Sequence, residues 1–533
     1  MNNKYVISIA AVVALGGFLF GFDAAVISGV ISFIRPKFDL TDIQVGWVVS
    51  SLTLTSTIAM AVAGPLSDKF GRKTILISVG ILYAVSAIGS ALAPTYEFLV
   101  VARMLGGFAV GAALITAPLY IAEVSPAESR GKMVSINQLN IVIGLSAAYF
   151  TNYYLLQLGD STADWVTNLG INSETWRWML GLEALPALIF FLSMFFVPES
   201  PRWLLAKNRT EEAIKTLTKI NGKEKVEAVT SEILKNIQED NQSEKAPLSE
   251  LFKPAMKLVI TIGIVVGILQ QITGINAVFF YATSIFEQSG IGQDASFAQA
   301  VLVGFINVVF TLLAMYLIDK LGRKPLLLIG TAGIVVSMSL TAYGFHQASY
   351  TLTTEKVATL ETDFDKKDSE ETDETAHVNF DKAMIAGMIG VTYDNDVDFK
   401  NELKSRMSNV QYGKMESDLI QAAITMNPFL ILIGILGFVA SFAISLGPVM
   451  WVLFSELFPT RIRGLAISFV GFINSGISWL VQQFFPWELA NLGSALTFVI
   501  YGLFALLGFL FIYKMLPETK GKTLEEIEKE LVR

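Results

Sequence analysis

The sequence predicts an all-α membrane protein of twelve spans, built as two repeated six-helix halves. Three observations predict it. Of 533 residues, 53% are apolar and only 16% are charged, against about 25% charged in an ordinary soluble domain. Mean hydropathy is +0.54, and twelve apolar runs each reach the roughly 20 residues that a helix needs to cross a bilayer. Short charged motifs also recur at matching places in the two halves.

The runs lie near 6–34, 44–66, 74–93, 98–122, 133–156, 177–197, 257–287, 297–318, 325–345, 428–454, 464–485 and 493–515. The first carries Asp23 in its body and has no convincing cleavage site, so it reads as a span and not a signal peptide. Lys and Arg gather on one side of the spans: Lys69 to Lys73, Arg130 and Lys132, the 198–256 stretch, Lys320 to Lys324, Arg461 and Arg463, and the tail. A basic side reads as cytoplasmic, which puts both termini inside. The first half is then 1–197 and the second 257–515, with a cytoplasmic tail at 516–533. The linker 198–256, with alternating charges, reads as short amphipathic helices.

Residues 346–427 stand apart. They hold 16 Asp/Glu and 8 Lys/Arg, a net of −8 that equals the whole chain's, so the rest is neutral. This stretch is too polar to enter the membrane. It reads as an extracytoplasmic insert, with 355–375 disordered and helices within 384–391 and 400–424. A disordered spacer is expected, with partner docking as the alternative.

The repeat locates the insert. Gly71-Arg72-Lys73 recurs as Gly322-Arg323-Lys324, and Asp68 as Asp319, at an offset of 251. Glu123 and Arg130 recur as Glu456 and Arg463, at an offset of 333. The offset grows by 82, the length of 346–427, so the second copy carries the addition between spans nine and ten. Pro198-Glu199-Ser200 recurs as Pro517-Glu518-Thr519. Fused six-helix halves are the layout of many secondary transporters.

Gly64-Pro65-Leu66-Ser67-Asp68-Lys69-Phe70-Gly71-Arg72-Lys73 resembles the signature loop of the major facilitator superfamily. Pro198-Glu199-Ser200-Pro201-Arg202, the stretch from Gln270 to Asn276, Gly447-Pro448 with Trp451, and Pro517-Glu518-Thr519-Lys520-Gly521 are similar to its sugar porter family. The resemblance covers both halves but not 346–427. Phe20-Gly21-Phe22-Asp23 most resembles the bacterial proton–sugar symporters, the xylose–proton symporter among them.

Asp23 lies about 11 residues from the outer end of span one, roughly 16 Å deep. A carboxylate there suggests function. Arg103, in span four, is at matching depth. Arg beside an ionised Asp favours the charged form and burial the protonated one, so such a carboxyl can load and release a proton. A static buried ion pair is the alternative. The resemblance implies that Asp23 is the proton site. Glu183, in span six, either relays the proton or braces Arg103.

Gln138, Gln270, Gln271, Asn276 and Asn474 are amides within spans. An amide both donates and accepts, which suits a sugar's hydroxyls; hydrogen bonding between helices is the alternative. Gly267 and Gly274 flank the Gln pair and can let span seven unwind. The resemblance implies that Gln138, Gln270, Gln271, Asn276 and Trp451 contact the sugar; Phe20 and Asn474 are also expected to bind it. Trp451 is otherwise a packing residue or an interface anchor. Leu145, Phe280, Ser475 and Ser478 depart from the glucose and xylose pattern, which implies an altered pocket.

The charges Asp68, Arg72, Glu123, Arg130 and Glu199, with Asp319, Arg323, Glu456, Arg463 and Glu518, are either topology signals or a cytoplasmic gate. The resemblance implies the gate, with ion pairs between the halves. Cys is absent and His346 and His377 are the two histidines, which excludes disulfides and thiolate chemistry and leaves little for a metal. Gly521-Lys522-Thr523 lacks the upstream Gly of a phosphate loop. The expectation is therefore no enzyme, cofactor or metal, and no nucleic-acid partner. It is a monomeric, proton-coupled monosaccharide importer of a bacterial inner membrane, among lipids. The alternatives are a uniporter and a transporter-like sensor, and the short tail argues against the sensor.

Overall fold

A computed structural model describes residues 3–126, 130–242, 247–370, 380–459, 461–522 and 526–528. Among the described residues, twelve helices are long and apolar enough to cross a membrane, at the places the apolar runs predict. Spans one to six begin with Asn3–Lys37, Asp42–Phe70, Arg72–Ala91, Tyr96–Val124 and Arg130–Gly159. Span six is broken into Thr175–Gly181 and Ala184–Met194. Span seven is three pieces, Lys257–Ile272, Ile275–Phe280 and Ala282–Glu287, and span ten is two, Pro428–Ile444 and Leu446–Leu457. Spans eight, nine, eleven and twelve are Gln293–Leu321, Arg323–His346, Arg463–Asn491 and Ser494–Met515.

Local chemistry sets several ends. Thr41 and Gln44 form a reciprocal capping box at the start of span two, which satisfies two of the donors a helix start leaves free. Gly71 and Gly322 turn the chain between spans two and three and between eight and nine, with φ of +99° and +96°. A side chain there would also strike a carboxylate: a Cβ on Gly71 would lie 2.3 Å from Glu199, and one on Gly322 would lie 2.8 Å from Glu518.

The halves meet along span two against span eleven and span five against span eight, with span one touching span seven. The linker forms the expected short helices, Pro201–Ala206, Thr210–Asn221 and Val226–Gln242. They lie under the first half: the Trp203 indole N–H donates to the Asp68 carbonyl at 3.0 Å. This is the basic end of the bundle.

At the opposite end, 346–427 is not a disordered spacer. Strands β1 (Ser349–Thr351), β2 (Thr392–Tyr393) and β3 (Ile424–Thr425) form an antiparallel sheet in the order β2-β1-β3. Helices Asp396–Arg406 and Asn409–Ala423 pack on it, and Thr354–Glu370 packs on Asn409–Ala423. Tyr350, Phe364, Ile385, Met388, Phe399, Leu403, Met415 and Leu419 build a core separate from that of the spans. The acidic composition hides this because the apolar residues needed are few and scattered over a strand and several helices. Of the stretch expected to be disordered, 355–370 is helical. His377 and 371–375 lie outside the described residues.

Candidate transport site

The first half buries its charges in the middle of the bundle. Asp23 is 2% exposed, Arg103 2% and Glu183 3%. Arg103 donates through one terminal nitrogen to Asp23 Oδ1 at 3.1 Å, and through Nε to the Val48 carbonyl of span two at 3.0 Å. The pairing read from matching depth is therefore present. Among the described residues Asp23 Oδ2 has no hydrogen-bond partner. It faces Gly106 of span four, where a Cβ would approach it to 2.8 Å. Glu183 sits at the break of span six, and its Oε1 also lacks a hydrogen-bond partner among the described residues. Among the described residues no ion pair joins Glu183 to Arg103, so the bracing role has no contact to support it. Buried carboxyl oxygens without donors are costly as anions, and one that can take a proton has a way to relieve that cost.

The second half supplies amides instead. Span seven breaks at Gly274, whose φ is +90°, a left-handed conformation open to glycine at no steric cost. A Cβ there would also lie 2.6 Å from the Tyr501 ring. Gly267 does not break the helix. It lets span eleven approach, and its carbonyl accepts from Asn474 Nδ2 at 2.8 Å. Asn474 also donates to Gln270 Oε1 at 2.8 Å. Gln271 donates to Asn474 Oδ1 and to Gln270 Oε1, both at 3.2 Å, and Gln270 donates to the Leu446 carbonyl at 3.1 Å. Asn276 donates to Gln271 Oε1 at 2.8 Å and to Ser478 Oγ at 2.6 Å.

Four of the five expected amides thus form one network. Gln138 is exposed on span five, and among the described residues no hydrogen bond joins it to the others. Trp451 is 43% exposed and packs edge-on to Phe454 at 6.0 Å. Phe20 is partly buried and packs against both apolar clusters of the bundle.

Sequence reasoning treated Ser478 only as a departure and missed Gln482, Gln483, Ser50 and Thr53. Gln482 donates to Ser478 Oγ at 2.8 Å and accepts from Thr53 of the first half at 2.7 Å. Ser50 donates to Gln483 Oε1 at 2.7 Å, and Gln483 donates to the Ile43 carbonyl at 2.9 Å. Thr283 and Ser28 bond across the halves, as do Tyr149 and the Phe279 carbonyl. These contacts join the two halves toward the insert end. The Gln482-Gln483 pair within an apolar span was the signal available.

At the basic end the expected charge pairs form, but inside each half. Arg72 grips Glu123 with two bonds of 3.0 Å and pairs with Asp68 at 2.9 Å. Glu199 accepts from the N–H groups of Arg72, Lys73 and Ser200. Arg323 repeats this with Glu456 at 3.1 and 2.7 Å and Asp319 at 3.4 Å. Glu518 accepts from the N–H groups of Arg323, Lys324 and Thr519. Each Arg stands one residue past its glycine turn, beside the Glu of its own half, so none of these pairs crosses the bundle. Arg463 donates to the Phe458 carbonyl at 3.1 Å. The side chain of Arg130 lies outside the described residues.

The family model described as "Sugar (and other) transporter" matches residues 9–360 and 410–531. The chain belongs to that family. The transporter is 35% identical to the arabinose–proton symporter of Bacillus subtilis, over 98% of this chain and 95% of that one. It is 32% identical to a glucose transporter of Staphylococcus epidermidis, over 99% and 97%. Among solved structures it is similar to the inward-open conformation of the xylose transporter of E. coli, with TM-score 0.72 and 30% identity over 99% of this chain and 100% of that one. The transporter is therefore a multi-pass major facilitator protein of the sugar porter type, and its family is one of carriers. The family model passes over 361–409, which is most of the insert.

Proposed function

We propose that this transporter is a symporter that imports a monosaccharide with a proton by alternating access. The observation that carries the reading is the division of labour across the bundle: a buried, half-satisfied Asp23 in one half and a connected set of amides in the other. Relatives named for arabinose with protons and for glucose support the substrate class.

In this reading Asp23 carries the proton, Arg103 sets its affinity, and Glu183 passes the proton on. Gln270, Gln271, Asn276 and Asn474 hold sugar hydroxyls, with Gln138, Trp451 and Phe20 lining the path. The insert end faces outward and both termini are cytoplasmic, in a bacterial inner membrane. The contacts that close the insert end are then those of an inward-facing state. The Arg72 and Arg323 clusters stiffen the ends of their own halves, and the cytoplasmic gate opens between them. The protein works as a monomer and catalyses no chemical reaction.

The test is uptake of a panel of labelled sugars into proteoliposomes, with and without an inward proton gradient. The expected result is that one or a few monosaccharides accumulate only with the gradient. Equal uptake in both conditions would make it a facilitative carrier.

A further inference from the structure

The insert touches both halves, and it does so with buried or half-buried charges. On its own side, Asp396 is 7% exposed and Lys400 3%. Asp396 accepts from Lys400 at 3.1 Å and from the Ser494 N–H and hydroxyl at 3.0 and 2.9 Å. It thereby caps the start of span twelve. Burial opposes its charge, but Lys400 and the Ser494 donors outweigh burial and hold the carboxyl below its ordinary value. This contact lies within the second half, from which the insert also departs and to which it returns.

The other contact crosses to the first half. Helix Asn409–Ala423 lies against the end of span one. Arg35 of span one pairs with Glu416 of the insert at 3.2 Å and with Asp42 of span two at 2.7 Å. Asp42 in turn meets Lys404 of the insert at 3.6 Å. Charges alternate around this set, and the Glu416 and Asp42 side chains are 12% and 18% exposed. Burial would raise the Glu416 pKa, but Arg35, Lys400, Tyr412 and Lys404 together hold it below the ordinary value.

The two contacts differ in what motion does to them. When two halves rock against each other, a contact within one half rides along and a contact between them must break. We propose that the insert is a latch: anchored to the second half through Asp396 and Lys400, it clasps the first half through Arg35–Glu416 and Asp42–Lys404, and so holds the insert end shut. This rests on the alternating motion proposed above. Asp396, Lys400 and Lys404 lie in the segment that the family model passes over, while Glu416 lies in the matched part, so the anchor and the Asp42–Lys404 clasp are additions to a bundle whose halves already bond through Ser50, Thr53, Gln482 and Gln483.

The chain contains no cysteine, so two introduced cysteines can be spin-labelled cleanly. Leu169 in the first half and Gln347 beside span nine are both exposed at this end. Distances between labels at Leu169→Cys and Gln347→Cys, measured on the full chain in nanodiscs, report closure directly. They need neither sugar nor proton flux, so the latch and the symport reading fail separately. In the unaltered background one short distance is expected to dominate. Glu416→Gln with Lys404→Gln should raise the ratio of long to short distances about tenfold, the scale of two partly exposed ion pairs. Lys382→Gln, whose partner Glu361 is also in the insert, should change nothing. If the insert variant does not fold, Arg35→Gln must give the same direction of shift. A distance distribution unchanged by either variant overturns the latch.

Discussion

The two halves share a skeleton and differ in their interiors. At the basic end each has a glycine turn, an Arg gripping a Glu, and a second Glu accepting the N–H groups of the next span. In the middle, the first half has Asp23, Arg103 and Glu183, and the second has Gln270, Gln271, Asn276 and Asn474. The duplicated residues build the scaffold. The residues without a duplicate mark where the halves took on different chemistry.

The strongest way to break this comparison is Asp23→Asn. It keeps size and polarity but cannot titrate. Accumulation against a sugar gradient should vanish while counterflow persists, because the amides of the other half are untouched. Uptake and counterflow on one purified preparation read both. Accumulation driven by pH in this variant would remove Asp23 as the proton site and leave Glu183.

The next test sets the two Arg–Glu grips against each other. The Arg72 and Glu123 side chains are 9% and 5% exposed, and those of Arg323 and Glu456 are 12% and 21%. Arg72→Ala strands a buried carboxylate and should cost about 3–5 kcal/mol. Arg323→Ala leaves Glu456 partly in water and should cost about 1–3 kcal/mol. Thermal unfolding in detergent measures the difference; equal losses would mean that burial does not separate the two grips.

A third test stays in the second half. Gln271→Ala and Asn276→Ala should each weaken sugar binding by about 1–3 kcal/mol, the cost of leaving a buried partner unpaired. Calorimetry checks this, and normal binding by both would move the pocket off span seven. The smallest effect is expected from Ser478→Ala. Its hydroxyl accepts from Asn276 and Gln482, so its loss should weaken binding by about 1 kcal/mol while leaving proton coupling intact.

The fold was legible because span length and loop charge are local properties. Twelve runs gave twelve spans, and the paired offsets located the insert. The Asp23–Arg103 contact was legible from depth alone, since two charges at one level of a bundle have few other partners. The partners of Arg72 were not, because an Arg and a Glu on the same side of the membrane fit a pairing within a half as well as one between halves. The closing contacts at Gln482 and Gln483 depend on which face of span eleven meets span two, and Ser and Thr opposite carry no charge to mark it. Helices form within 384–391 and 400–424 of the insert, as expected, but that they fold together was missed for a related reason. Its core is assembled from residues far apart in sequence, while its composition is dominated by a solvated surface.

The pairing of β1 with β3 has a further use. These strands stand at the entry and exit of the insert, with Tyr350 opposite Ile424 and Ser349 opposite Thr425. The chain therefore leaves span nine and returns to span ten through neighbouring positions. To the bundle, whatever lies between them is a closed loop, and lengthening such a loop costs little, about 0.6 kcal/mol per doubling. That makes the strand pair a socket. A fluorescent or ligand-binding domain whose own termini lie close together can be seated there, and it will turn with the second half as a visible pointer to the carrier's motion.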